Sequence, residues 1–247
     1  MPAVPAAVVF DFDGLLADTE TPIYEAIRAT LADLGHDLPV AVWASVIGLG
    51  GGDWFDPLCE RLGAVLDRVE VEARQRARLI ADPVRPDLVA EAVQLLDRLD
   101  AHGIPAAVAS SSSLDWVGGH LDRLGVLDRF VTVATADRAG RGKPAPDVYL
   151  LACQELAAPP AGSVALEDAA PGIAAARAAG LRVVAVPSSF TRHTDLSAAD
   201  GTVGALAEVT VELLSGLVGA VGEQGRGSAD DGRASPAAGE APGTVGP

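Results

Sequence analysis

From residue 104 onward the chain repeats one pattern: a short, unbroken apolar run, then a segment whose apolar positions recur every three or four residues. The runs fall at 104–109, 130–134, 163–166 and 182–186, and an earlier one lies at 6–10. Runs this short, rich in Val and Ala and without alternation, read as strands buried on both faces. The segments 87–102, 114–124, 148–156, 171–179 and 203–218 read as helices, and Gly103, Gly125 and Gly180 follow three of them as C-caps. Strand, crossover helix and strand in repetition require a parallel sheet with helices on both faces. The expected fold class is therefore α/β, a Rossmann-like doubly wound core.

The alternation is interrupted directly after the first strand. Residues 18–84 show helical periodicity alone, beginning with Ile23, Ile27, Leu31 and Leu34 before Gly35, and continuing at 39–47, 58–62 and 65–80. The expected organisation is a core built from 1–17 and 85–221, with an all-helical cap inserted at 18–84. Within the insert, Gly48-Leu49-Gly50-Gly51-Gly52 follows no strand, and Asp53 stands where a dinucleotide fingerprint needs its last glycine. It reads as a substrate-facing turn or a plain linker. Residues 222–247 are Gly, Ala, Ser, Pro, Asp and Glu with almost no large apolar group, the composition of a disordered tail.

A net charge of −16 argues against nucleic acid and anionic membrane surfaces as partners. It also means that a bound phosphate must be met by local donors. No apolar run approaches the length of a membrane span, and no basic leader is evident. Cys59 and Cys153 are far apart and fit no metal spacing, as expected of reduced thiols in a cytoplasmic protein. A monomer or weak dimer is expected. Of the 18 basic residues only one, Lys143, is lysine.

Ligands of open parallel sheets bind beyond the carboxyl ends of the strands. Here those ends carry unusual polar groups. The first run breaks at Asp11-Phe12-Asp13-Gly14, the second ends in Ser110-Ser111-Ser112-Ser113, and the fourth ends in Glu167-Asp168, while Lys143 precedes a helix. Each has an ordinary reading when taken alone: a turn for the first, helix caps for the second and third, a surface position for the lysine. Together, in this order on these elements, they point to chemistry. Asp11 can act as nucleophile, and Asp13 as an acid that protonates a leaving oxygen and later deprotonates water. Asp11, Asp13, Glu167 and Asp168 cannot all stay ionised side by side without a cation, and Mg²⁺ suits such oxygen ligands. The Ser110 hydroxyl, with the backbone N–H groups from Ser111 on, can cradle an anion, and Lys143 supplies fixed positive charge.

In these four motifs, over roughly residues 5–220, the chain resembles the haloacid dehalogenase-like superfamily, with its insert where that family's C1 helical cap lies. Leu15-Leu16-Ala17-Asp18-Thr19-Glu20 and Val108-Ala109-Ser110-Ser111 are similar to the β-phosphoglucomutase-like and sugar-phosphate phosphatase branch. The resemblance implies Mg²⁺-dependent phosphoryl transfer through an aspartyl-phosphate. Asp11 would be nucleophile and metal ligand, and Asp13 acid/base with its carbonyl on the metal. Ser110, Ser111 and Lys143 would hold the phosphoryl group, and Asp168 with Glu167 would complete the metal site. Dehalogenases of the family lack the second aspartate, and phosphonatases need a cap lysine that is absent here. Mutases of the branch carry a hinge histidine and a cap-turn arginine where this chain has Ile23 and glycine. The expected activity is hydrolysis of a small phosphomonoester, a sugar or polyol phosphate. A phosphosugar mutase and a non-catalytic phosphate-binding regulator are the alternatives. Asp18, Glu20, Gly51 and Trp54 are candidate cap or substrate contacts, and Asp18 and Glu20 equally suit the cap of the following helix.

Overall fold

A computed structural model describes residues 4–47 and 54–224. Six parallel strands form one sheet in the order β3-β2-β1-β4-β5-β6. They are β1 (Ala7–Phe10), β2 (Ala106–Ser110), β3 (Thr132–Thr135), β4 (Ser163–Glu167), β5 (Arg182–Ala185) and β6 (Gly201–Thr202). This is the doubly wound order, and the chain reverses direction across the sheet between β1 and β4, the usual place for a ligand crevice.

Successive strand residues face opposite sides of the sheet, and both sides are covered, which is why these runs do not alternate with polar residues. Val8 and Phe10 pack with Leu95, Leu96, Leu99, Val108, Leu121 and Leu214 on one face. That face is covered by α5 (Ala90–Ala101), α6 (Leu114–Arg123) and α10 (Val211–Gln224). Val9 packs with Ala107, Val148, Tyr149, Ala152, Ile173 and Val183 on the other, under α8 (Asp147–Glu155) and α9 (Ala170–Ala178).

The described part of 18–84 is helical, with no strand: α1 (Glu20–Asp33), α2 (Val40–Ala44), α3 (Phe55–Leu62) and α4 (Arg68–Ala81). It builds its own apolar cluster from Tyr24, Ile27, Leu31, Trp43, Phe55, Leu58 and Val71, joined from the core side by Phe190. The chain leaves and re-enters the sheet region at one place, because Ala17 bridges to Leu88 and the Val89 N–H donates to the Leu16 carbonyl at 2.9 Å.

Three elements differ from the sequence reading. The 137–142 loop begins as a short helix, α7 (Ala136–Ala139). The sixth strand is only two residues long, too short to show a period. The last helix begins at Val211, not at 203, because Val203 and Leu206 reach the core from non-helical backbone and a 3₁₀ turn, and the Thr210 hydroxyl accepts the Leu213 N–H at 3.2 Å. It also continues through Gln224, three residues into the predicted tail, where Glu223 and Gln224 are good helix formers. The rest of that tail, and the 48–53 glycine loop with Gly51, lie outside the described residues.

Candidate active site

The ladder itself creates the centre of the site. Phe10 pairs with Leu166 across β1 and β4, and the Asp11 N–H donates to the Leu166 carbonyl at 2.9 Å. One residue further, Asp11 therefore stands beside Glu167 and Asp168. Carboxylate oxygens of these three lie within 4.8 Å of one another, and all three residues are buried. Gly14 makes this approach possible. Its φ is +83°, and a Cβ there would stand 2.7 Å from Asp168 Oδ2.

Lys143 is delivered by the loop between α7 and α8, where its backbone N–H donates to the Ser111 hydroxyl at 3.0 Å. Its ammonium pairs with Asp11 and lies 2.6 Å from Glu167 Oε1. Glu167 also accepts from the buried Tyr149 hydroxyl. Burial alone would lower the Lys143 pKa, but Asp11 and Glu167 outweigh it and hold the amine above its ordinary value. Burial, with the charges of Glu167 and Asp13, pushes Asp11 up to about 8 despite the lysine. Burial, with the charges of Asp11 and Glu167, raises Asp168 well above its ordinary value. One ammonium does not neutralise three buried acids, and a divalent cation with hard oxygen ligands fits both the donor set and the charge deficit.

Asp13 faces a different environment. Its Oδ1 accepts from the Thr19 hydroxyl at 2.7 Å and from the Trp116 indole N–H at 3.0 Å. Its Oδ2 accepts from the Ser112 and Ser110 hydroxyls at 2.7 and 3.2 Å. Both aspartates border one cavity of about 330 Å³, roofed by Ile23, Trp43, Ile47 and Trp54 from the helical insert. A carboxylate beside a fixed ammonium can attack an electrophile held in that cavity, while a second carboxylic group handles protons.

The sequence pattern of the haloacid dehalogenase-like hydrolases matches residues 5–180. The chain belongs to that family. It is 36% identical over 213 residues to YhcW of Bacillus subtilis, a protein named provisionally as a phosphatase, covering 84% of this chain and 95% of that one. It is 33% identical over 187 residues to fructose-1-phosphate phosphatase YqaB of Escherichia coli, covering 73% and 96%. The crystal structure of CbbY from Rhodobacter sphaeroides in complex with xylulose 1,5-bisphosphate has a similar fold. It shows a TM-score of 0.65 and 30% identity over 83% of this chain and 96% of that chain.

Within this hydrolase, Asp11, Asp13, Ser110, Ser111, Lys143, Glu167 and Asp168 all line the one cavity, and so do Glu20 and Trp54. Asp18 does not. It is exposed and accepts the Thr21 N–H and hydroxyl at 3.0 and 2.9 Å, so it serves as a cap for α1. The Ser110 hydroxyl is engaged locally, donating to Asp13 and accepting the Ser112 N–H at 3.0 Å.

Sequence reasoning missed Thr19, Ser112, Trp116, Tyr149 and Gly172. Thr19 and Ser112 neighbour residues already singled out, so their spacing from Asp18 and Ser110 was an available signal. For Trp116 the signal was its place three residues into a helix capped by Ser113. Tyr149 had no signal, since it reads as an ordinary apolar position of α8. Gly172 is needed because any Cβ there would overlap the Glu167 carboxylate.

Proposed function

We propose that the hydrolase is a Mg²⁺-dependent phosphatase acting on a small sugar or polyol phosphate through an aspartyl-phosphate. Residues 18–84 act as a cap on the core formed by 1–17 and 85–221, and the setting is the cytoplasm. The observation that carries the reading is the buried Asp11–Lys143–Glu167 chain beside Asp168, opening into a capped cavity.

In the first half-reaction an Asp11 carboxylate oxygen attacks phosphorus. The bond to the ester oxygen breaks, and Asp13 delivers a proton to that leaving oxygen. Lys143, with donors of the Ser110–Ser111 strand end, compensates charge on the phosphoryl oxygens. In the second, Asp13 takes a proton from water as the water oxygen attacks phosphorus, and the Asp11 carboxylate leaves with orthophosphate as product. Mg²⁺ held by Asp11, Asp168 and Glu167, with the Asp13 carbonyl, would supply positive charge that offsets the buried acids and the phosphoryl group. Four donors around Asp13 fix its carboxylate for both proton transfers.

The names of YhcW and YqaB support phosphatase over mutase. So does Ile23, which lines the cavity where a mutase of this branch would present a histidine and has no proton to exchange. Phosphate release from a panel of sugar and polyol monophosphates should require Mg²⁺ and should vanish in Asp11→Asn while the variant stays folded. Turnover surviving that substitution would remove Asp11 as nucleophile. Conversion of β-glucose 1-phosphate to glucose 6-phosphate, without free phosphate, would reassign the protein as a mutase.

A further inference from the structure

The walls of the cavity differ sharply in charge from what an extended anionic substrate needs. Among the described residues that line it there is one cation, Lys143, already paired with Asp11 and Glu167. The lining also includes Glu20, Gln75, Trp43, Trp54 and Ile23. Glu20 and Gln75 are half-buried, and neither side chain has a hydrogen-bond or ion-pair partner among the described residues.

We infer that this site takes phosphomonoesters whose leaving alcohol is an uncharged polyol or sugar, read by Glu20 and Gln75, and that it rejects substrates bearing a second phosphate or a carboxylate. The inference rests on the phosphatase reading above and narrows its substrate. A carboxyl group and an amide together offer donors and acceptors for neighbouring hydroxyls. Sites built to hydrogen-bond a hydroxyl discriminate strongly, because their own polar groups stay unpaired when it is missing. Burial, together with the charges of Asp13, Asp11 and Asp18, pushes Glu20 up to about 8 in the metal-free protein, and in either protonation state its carboxyl oxygens can accept from a hydroxyl. The tryptophan rings suit the C–H face of a sugar and carry no charge to set against an anion. A second phosphate would sit desolvated near Glu20 with no counter-charge, a costly placement. CbbY, crystallised with a bisphosphate, would then differ from this hydrolase in the far half of its pocket.

The test uses the full chain with Mg²⁺ and two matched pairs: fructose 1-phosphate against fructose 1,6-bisphosphate, and glycerol 3-phosphate against 3-phosphoglycerate. In each pair kcat/KM should favour the first member by about a hundredfold or more. Gln75→Leu should lower kcat/KM for fructose 1-phosphate about tenfold, and for methyl phosphate, which has no hydroxyls to read, several times less. Glu20→Gln, which keeps shape and hydrogen-bonding capacity, should retain most of the discrimination between fructose 1-phosphate and methyl phosphate. Equal or faster hydrolysis of the bisphosphate or the phosphoglycerate would overturn the inference, as would an equal loss on both substrates in Gln75→Leu. In those cases phosphate release that disappears in Asp11→Asn would leave the phosphatase reading standing. No release from any of the five esters would overturn that reading and this inference together.

Discussion

Gly172→Ala isolates the packing of Glu167 without touching a polar side chain. Gly172 lies in the first turn of α9, where alanine by itself should stabilise the helix by about 1 kcal/mol. Its Cβ, however, would fall on the Glu167 carboxylate, which is fully buried and can escape only by leaving its partners. Those are the Lys143 ammonium at 2.6 Å and the Tyr149 hydroxyl. Hydrogen bonds to charged groups contribute about 1.5–3 kcal/mol each, so roughly 3–6 kcal/mol is lost against the 1 gained. The net destabilisation of about 2–5 kcal/mol is a large share of a typical total of about 5–15. In a chain of this length it should lower Tm by roughly 5–15 °C. Lys143 would also lose one of its two anchors, so kcat/KM should fall at least about tenfold. Differential scanning calorimetry and initial rates decide it. Gly119→Ala is the control, since a Cβ there meets nothing within 4 Å and should raise stability by up to about 1 kcal/mol. A Gly172→Ala protein as stable and active as its parent would refute the placement of Glu167 and, with it, the anchoring of the lysine.

Trp116→Phe keeps an aromatic ring, though a smaller one, but removes the indole N–H that holds Asp13 Oδ1. Its kcat/KM should fall about ten times further for an alkyl phosphate, whose leaving oxygen needs a proton, than for p-nitrophenyl phosphate, whose leaving group does not; an equal fall on both would mean that Trp116 serves the fold alone. Asp11 and Glu20, both raised to about 8, stay protonated in the native protein between about pH 5 and 8, where the unfolded chain has released those protons. Rising pH across that window therefore destabilises the metal-free protein, by up to about 1.4 kcal/mol per pH unit for each group, with the effect levelling off above about 8. The gap in Tm between Mg²⁺ and EDTA should widen from pH 5.5 to 8, and a constant gap would contradict the shared charge of the site. Lys143→Arg keeps the charge but replaces a compact ammonium with a planar fork, and kcat/KM should drop at least about a hundredfold; activity within threefold of the parent would show that any buried cation suffices.

The sheet was legible because its two covered faces leave Val9, Val108 and Val184 no polar neighbours along the strand, and Asp11, Ser110 and Glu167 were legible because each breaks such a run. The contacts among them were less so. That Asp11 meets Glu167 follows from the register of β1 on β4, a pairing between segments more than 150 residues apart that no local pattern encodes. Trp116 and His120 sit one turn apart on α6, with ring centroids 4.5 Å apart, and His120 stacks on Phe12. Which way that face of α6 points depends on how the helix docks on the sheet. The four histidines, read as unclustered in sequence, gave no hint that one of them packs directly behind the turn carrying Asp13. Asp18 shows the converse, since a carboxylate two residues before a helix interior satisfies a cap and a substrate contact equally well until the side chain is seen.

The lone lysine is the point at which composition, packing and chemistry meet. The chain carries seventeen arginines, and many sit in pairs such as Arg28–Glu25, Arg74–Glu70, Arg78–Asp33 and Arg138–Glu155, with a third or more of each side chain exposed or nearly so. There a guanidinium fork can spread over a carboxylate in contact with water, and each pair adds little to stability. Lys143 occupies the opposite setting. Only 5% of it is exposed, its ammonium touches Asp11 and Glu167, and the Tyr149 ring centroid lies 5.4 Å away. A five-donor planar group would need more acceptors and more width than two carboxylates and a ring face provide. A compact ammonium fits, and its three protons leave one free after Asp11 and Glu167 have each taken theirs. That third proton is the one available to a phosphoryl oxygen. A composition that uses arginine everywhere else keeps its single lysine where a compact ammonium meets two buried carboxylates.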